Sequence, residues 1–283
     1  MNISIFGKHW GLVSTLRDIL EPKHNVSVVE ANSFPKQFAL REEKTKPDVH
    51  ISTFPYDDIK HYDRKTPLIL YATDPVYNFI FEEVKEIQKW EGCLTVAAEP
   101  CFEQTYWPIT PEMQIEFAID TSKYFLWTGG INRVAVVNRK ARERWTECVR
   151  GATGIAYTLE DFLGDVPFDV LQIDDNTEYR KALSQYDAAF YYSNSPYTLV
   201  MWEEMSLGIP TVGFNHHQTS TYKPIEKYLH HYSTDIDEVR RLLKMKLAKP
   251  EKETYPIPSL DTIRDKWDLA ISTAHDRGKE LFS

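Results

Sequence analysis

Two adjacent acids, Glu203 and Glu204, stand just past a polar turn, Ser193-Asn194-Ser195-Pro196. An apolar run, residues 188–192, precedes that turn, and a helical pattern over residues 200–207 follows it. A helix start leaves N–H groups without intrahelical partners, here near Tyr197, Thr198 and Leu199, and such groups suit phosphate oxygens. Arg139 and Lys140 follow another apolar run, residues 133–137, within the densest basic stretch of the chain. A guanidinium makes paired, charge-assisted bonds to phosphate, so this is a place for a diphosphate. Asp74 closes a third apolar run, residues 67–71, and can act as a base or hold a hydroxyl. Each of these residues has a structural alternative. A Glu early in a helix complements the helix dipole. An Asp before a Pro starts turns. Arg142, Arg144 and Arg150 read as a solvated helix face paired with Glu143 and Glu147.

The elements that must position these groups alternate. In the first half, short apolar runs at residues 3–6, 26–29, 48–52, 67–71 and 93–97 read as strands, with helices predicted over residues 12–20 and 79–90. In the second half, strands are predicted at residues 133–137, 155–157, 168–173, 188–192 and 211–214. Helices are predicted at residues 141–149, from Asn176, at 200–207, 237–247 and 259–275. Gly208 suits the left-handed conformation that ends a helix, and Pro210 prevents resumption. Alternating strands and helices imply parallel sheets. In open sheets of this kind ligands bind in loops at the carboxyl ends of strands, where Arg139, Asp74 and the 193–198 turn all fall.

Between the halves, Thr110-Pro111-Glu112 reads as a helix start and Gly129-Gly130 as its stop, with Met113, Phe117, Ala118, Phe125 and Leu126 as a partial apolar stripe. This places a domain boundary near residue 130: a first domain over 1–130, a second over 131–258, and a closing helix over 259–283. The alternative is a strand over 124–128 with Gly129-Gly130 as a phosphate loop.

With 283 residues, 42% apolar content and 13% aromatics, the chain can bury sizeable cores. Its net charge of −9 argues against nucleic-acid or anionic-membrane binding driven by overall charge. Cys93, Cys101 and Cys148 form no metal spacing, and a reduced cytoplasmic setting is expected. The start, MNISIF, reads as a strand rather than a secretory leader, and no apolar run reaches membrane-spanning length. His216-His217 and His230-His231 are adjacent pairs whose side chains diverge, and there is no Asp-x-Asp motif, so no metal is expected.

The stretch from residue 187 to 214 resembles the donor-site segment of GT-B fold glycosyltransferases, most of all the retaining enzymes with a Glu-x7-Glu pair. The run that carries the resemblance is Glu203-Glu204-Met205-Ser206-Leu207-Gly208-Ile209-Pro210-Thr211-Val212, with Ser195 where that family has its first Glu. The resemblance implies an α/β fold of two Rossmann-like domains facing each other across a cleft, with the last helix crossing back to the first domain. It implies that Glu203 binds a ribose, that Arg139 meets the diphosphate, with Lys140 or Arg133 next, and that Ser195, Tyr197, Thr198 and Leu199 line the donor site. His9 and Gly11, in the loop after the first strand, would approach the donor phosphates or the acceptor, unless Gly7 and Gly11 only make the turn. The implied activity is transfer of a sugar from a nucleotide-diphosphate sugar, a UDP-sugar first of all, to an acceptor hydroxyl. No further cofactor is required, and His9 or Asp74 would be the base in an inverting reaction. Small enzymes of this kind include phage proteins that glycosylate hydroxylated DNA bases, and Trp10, Tyr56, Tyr71, Tyr77 and Trp107 would offer stacking faces. Two other readings compete: a nucleotide-sugar epimerase on the same fold, and a non-enzymatic two-lobed binding protein.

Overall fold

The computed structural model describes residues 1–7, 10–30, 46–53, 62, 64–72, 81–98, 111–120, 126–137, 158–173, 176–192, 199–214 and 229–283. The chain divides into two compact units: Met1–Ala118 with Pro258–Ser283, and Ile119–Ile257.

The first unit begins β1 (Asn2–Gly7), α1 (Trp10–Leu20), β2 (Asn25–Glu30), β3 (Val49–Ser52) and β4 (Leu68–Ala72). It continues with α2 (Phe81–Gln88), β5 (Cys93–Ala97) and the short β6 (Met113–Gln114). Its sheet has the order β2-β1-β3-β4-β5-β6 and every pairing is parallel. All residues of β3, β4 and β5 are buried, and the central β4 reads as a continuous apolar run rather than an alternating one. The carboxyl ends of β1 and β3 are locked together by Thr53, whose backbone N–H and side-chain hydroxyl both donate to the Phe6 carbonyl, at 2.8 and 2.9 Å. Gly7 makes this closeness possible: a Cβ there would stand 2.1 Å from Thr53 Oγ1 and 2.6 Å from Val13 Cγ2.

The helix expected from Thr110 to Thr128 is not formed over the described residues. The Glu112 and Ile115 amides instead bond the Thr95 and Ala97 carbonyls, so the chain runs alongside β5 as β6. Tertiary partners outweigh the local start signal. The Glu112 carboxylate, which would have complemented a helix dipole, accepts from the Thr95 amide and from Arg277. Burial pushes this carboxyl up, but the bonds from Arg277 and Thr95 outweigh it and hold it below the usual range. Beyond β6, Ile115, Glu116, Phe117, Ala118 and Ile119 are all buried, a run that no one-sided surface helix produces. Leu126, placed on the expected apolar stripe, is 50% exposed. Gly129 and Gly130 have positive φ, but they belong to a loop whose Gly130 and Asn132 amides donate to Asp187, at 2.5 and 2.7 Å.

The second unit contains β7 (Val134–Val137), α3 (Leu159–Leu163), β8 (Phe168–Leu171), α4 (Asn176–Leu183), β9 (Ala188–Tyr192) and α5 (Leu199–Leu207). Then come β10 (Thr211–Phe214), β11 (His231–Ser233) and α6 (Ile236–Ala248). The sheet order is β11-β10-β9-β7-β8, again wholly parallel. Val134, Val136, Ala188, Phe190, Val212 and Phe214 pack on one face with Phe162 of α3 and Leu243 of α6. The alternate residues Ala135 and Ala189 pack on the other with Tyr179 and Leu183 of α4 and Leu207 of α5. Gly208 ends α5 with φ +79°, as its position predicts.

Counted within each unit, the first five strands follow one order, 2-1-3-4-5, and the fold is α/β with two Rossmann-like, doubly wound units. The final helix, α7 (Leu260–Phe282), belongs to the first unit. Its Trp267 packs edge-on against Tyr71 with ring centroids 4.9 Å apart. Arg277 donates to the Cys93 carbonyl at 2.7 Å and Lys266 to Glu116 at 2.6 Å. Gly278 lies so near Pro67 that a Cβ would meet its ring carbon at 2.1 Å.

Candidate functional site

In a sheet of order 2-1-3-4-5 the chain leaves the first and third strands in opposite directions, and the crevice between their carboxyl ends is the binding place. In the second unit these strands are β7 and β9, hydrogen-bonded neighbours with Val136 opposite Phe190. Arg139 follows the end of β7, and Ser195, Tyr197 and Thr198 follow the end of β9. Those four residues and Lys140 lie outside the described residues. Leu199 is the first residue of α5, so its backbone is in the turn that carries free N–H groups. In the first unit the corresponding strands are β1 and β3. Gly11 is the second residue of α1. His9, after β1, and Asp74, after β4, lie outside the described residues, as do Tyr56, Tyr77 and Trp107. Tyr71 is described and buried; its hydroxyl donates to the Ile115 carbonyl at 3.0 Å, so it is no stacking face.

Arg133 is placed away from the crevice. It precedes β7, at the amino end of the strand, and its guanidinium donates to both Asp169 oxygens, at 2.7 and 2.8 Å. The bond from Arg133 is the main cause that holds the Asp169 carboxyl below its usual range. Arg133 therefore serves this ion pair and not a diphosphate at the strand's other end.

Glu203 and Glu204 sit in α5, a helix buried on every side from residue 201 to 205. Glu203 is 5% exposed and meets Arg180 of α4, itself 3% exposed. Arg180 donates from Nε at 2.8 Å and from Nη2 at 2.5 Å, both to Glu203 Oε1. Burial is the larger influence and leaves the Glu203 carboxyl above its usual range, although Arg180 and then Tyr179 pull it down. The Tyr179 hydroxyl is raised well above its usual range, by burial first and by the two acids after it. Glu204 is fully buried and neither carboxyl oxygen has a hydrogen-bond partner. Burial, reinforced by the neighbouring Glu203, pushes its carboxyl well above the usual range.

Arg180 is the residue that sequence reasoning missed. Its signal was present: a helix that buries two consecutive acids needs a buried cation, because an unpaired internal charge is very costly. Nothing in the local pattern of α4 says that Arg180 is the cation that answers.

Among the described residues no three His, Cys, Asp or Glu side chains gather as a metal site. His230 stacks on Tyr255, with ring centroids 5.2 Å apart, and His231 lies 3.7 Å from Glu253. No described helix is long and apolar enough to cross a membrane.

No protein-family model matches the chain, and no curated protein matches it in sequence. Among solved structures it is similar to CalG4, the calicheamicin glycosyltransferase, at 13% identity over 98% of this chain and 94% of that chain, with a TM-score of 0.39. A likeness at this level carries no conclusion about donor, acceptor or reaction.

Proposed function

We propose that the protein is a glycosyltransferase that takes a sugar from a nucleotide-diphosphate sugar. The observation that carries this reading is the 2-1-3-4-5 order of the second unit. That order makes neighbours of the strand ends preceding Arg139 and the 193–198 turn. A cation and a helix start that follow two neighbouring strands in sequence suit a diphosphate, and they would stabilise negative charge as it grows on the leaving group. The Glu203–Val212 run, which resembles a donor-site segment, follows directly in α5 and β10. In this reading Arg139, Ser195, Tyr197, Thr198 and Leu199 hold the diphosphate and Glu203 the ribose. In the first unit Gly11, His9 and Asp74 are the residues to test, His9 and Asp74 as the base. A UDP-sugar is the donor to test first, and a hydroxylated base in DNA is one acceptor to test among small molecules and glycans.

The experiment is a thermal-shift panel of nucleoside diphosphates on wild type and Arg139→Ala, followed by detection of free nucleoside diphosphate from the matching nucleotide-sugar. A ligand that binds only the folded chain raises its unfolding temperature. The expected result is one nucleotide that shifts wild type, a weaker shift in the variant, and release of that nucleotide when an acceptor is added. A shift without release would point to a binding protein instead. For a DNA acceptor, binding must weaken steeply with salt.

A further inference from the structure

α5 buries two consecutive acids, and among the described residues only one of them has a cation. Arg180 of α4 donates twice to Glu203 Oε1, at 2.8 and 2.5 Å. Glu204 is fully buried, and neither of its carboxyl oxygens has a hydrogen-bond partner. Few groups act on it. Its own helix brings Glu203, a like charge, and β10 brings the Thr211 hydroxyl. That hydroxyl spends its proton on the Ile209 carbonyl, at 3.1 Å. Tyr179 of α4 feels both acids. Tyr255 stops at the Thr211 amide, and Lys252 and Glu253 meet Gly208 at the end of the helix. β9 and β10 contain no charged residue. One guanidinium therefore faces two carboxyls in a packed interior. A second negative charge there has no counter-ion, and a buried acid in that position keeps its proton instead.

We propose that α5 is a proton-locked helix: the proton on Glu204 holds it closed, and loss of that proton to solvent as pH rises opens residues 199–207 to water while the strands beside it stay paired. Both acids sit on α5, so an ionised Glu204 gains a hydration shell when this one helix moves. α5 ends at Gly208, where φ is +79° and the chain turns out of the helix. β9 and β10 pair along four residues and hold no acid that the same change of pH would ionise. The sign follows from proton linkage. Closed α5 binds the proton more tightly than open α5, so opening releases one proton between the ordinary carboxyl value and the folded one. Over that interval the closed form loses a factor of about ten per pH unit, and below it the lock is complete.

The test is amide hydrogen exchange of the full chain, read by mass spectrometry from about pH 5 to 8, with each rate corrected for the intrinsic pH dependence of exchange. The proteins are wild type, Glu204→Gln and Glu204→Met, the last as a guard against a first variant that fails to fold. In wild type, protection over residues 199–207 is expected to fall about tenfold per pH unit within that range. Residues 188–192 and 211–214 are expected to keep their protection. In both variants the protection of α5 is expected not to change with pH. Wild-type α5 protection that is constant with pH overturns the proposal, and so does a wild-type slope that persists in either folded variant. A loss over residues 188–192 and 211–214 in step with α5 also overturns it, because that is unfolding of the whole unit. No nucleotide enters the measurement, so the donor-site reading stands or falls separately.

Discussion

Arg180 and Glu203 form a buried ion pair between α4 and α5, with two guanidinium N–H groups on a single carboxylate oxygen. Such a pair contributes little net stability against an apolar replacement, but either partner left alone is costly. Glu203→Gln and Arg180→Met should each lose about 3–5 kcal/mol of unfolding free energy. The double variant should lose clearly less than the sum, with a coupling of about 1 kcal/mol or more. Urea denaturation of the four proteins checks this, and strictly additive losses would mean that the two side chains do not interact.

Glu204 gives stability a pH dependence of definite sign. Its carboxyl is raised in the folded chain, by burial and then by Glu203, above the ordinary value of about 4.3 that it regains on unfolding. The folded state therefore holds the proton more tightly. The Glu204 contribution is complete below that ordinary value and is lost progressively as pH rises toward the folded one. Glu204→Gln, which is neutral at every pH, should gain stability relative to wild type as pH is raised from 4 to 8. Urea midpoints across that range measure it, and a difference that is constant with pH would show that Glu204 does not carry the proton.

Gly7 ends β1 where Thr53 crosses above it. A Cβ at Gly7 would stand 2.1 Å from Thr53 Oγ1, in a place where Thr53 is itself pinned to the Phe6 carbonyl. Gly7→Ala should cost about 1–3 kcal/mol, the usual penalty for overfilling a packed interior. Gly7→Ala with Thr53→Ser should cost as much, because the Ser hydroxyl occupies the same place. Thermal unfolding of the two variants makes the comparison.

Tyr255 ties residues 209–211 in the second unit. Its hydroxyl donates to the Ile209 carbonyl at 2.6 Å and accepts from the Thr211 amide at 2.8 Å, and the ring is buried. Tyr255→Phe leaves the buried Thr211 amide without this partner, while the Ile209 carbonyl keeps the Thr211 hydroxyl at 3.1 Å. The expected loss is about 1–3 kcal/mol in denaturant unfolding. A neutral result would mean that water replaces the hydroxyl.

Much of the fold was legible because its strands are covered on both faces. Residues 68–72 and 188–192 are apolar without alternation and bounded by turns, and both are central strands. Gly208 and Pro210 marked the end of α5 correctly because a positive φ is a local demand that only a few residues meet. Residues 110–128 misled because Thr110, Pro111 and Glu112 satisfy a helix start locally. The partners that decide otherwise, Thr95 and Arg277, lie far away in sequence. The same distance hid Arg180: Glu203 announces itself beside a polar loop, whereas its counter-ion is a single Arg in an amphipathic helix that looks solvated.

The first unit is built from two separated pieces of chain, residues 1–118 and 258–283, with the whole second unit between them. On the ribosome this inverts the usual order of events, in which the domain made first is finished first. Residues 119–257 emerge as one continuous piece and have every strand of their sheet before α7 exists. The sheet made first must wait with Tyr71 and Pro67 uncovered until Trp267 and Gly278 have been translated. A released chain truncated after residue 257 would therefore hold every strand of the second unit but lack the helix that covers Tyr71 in the first.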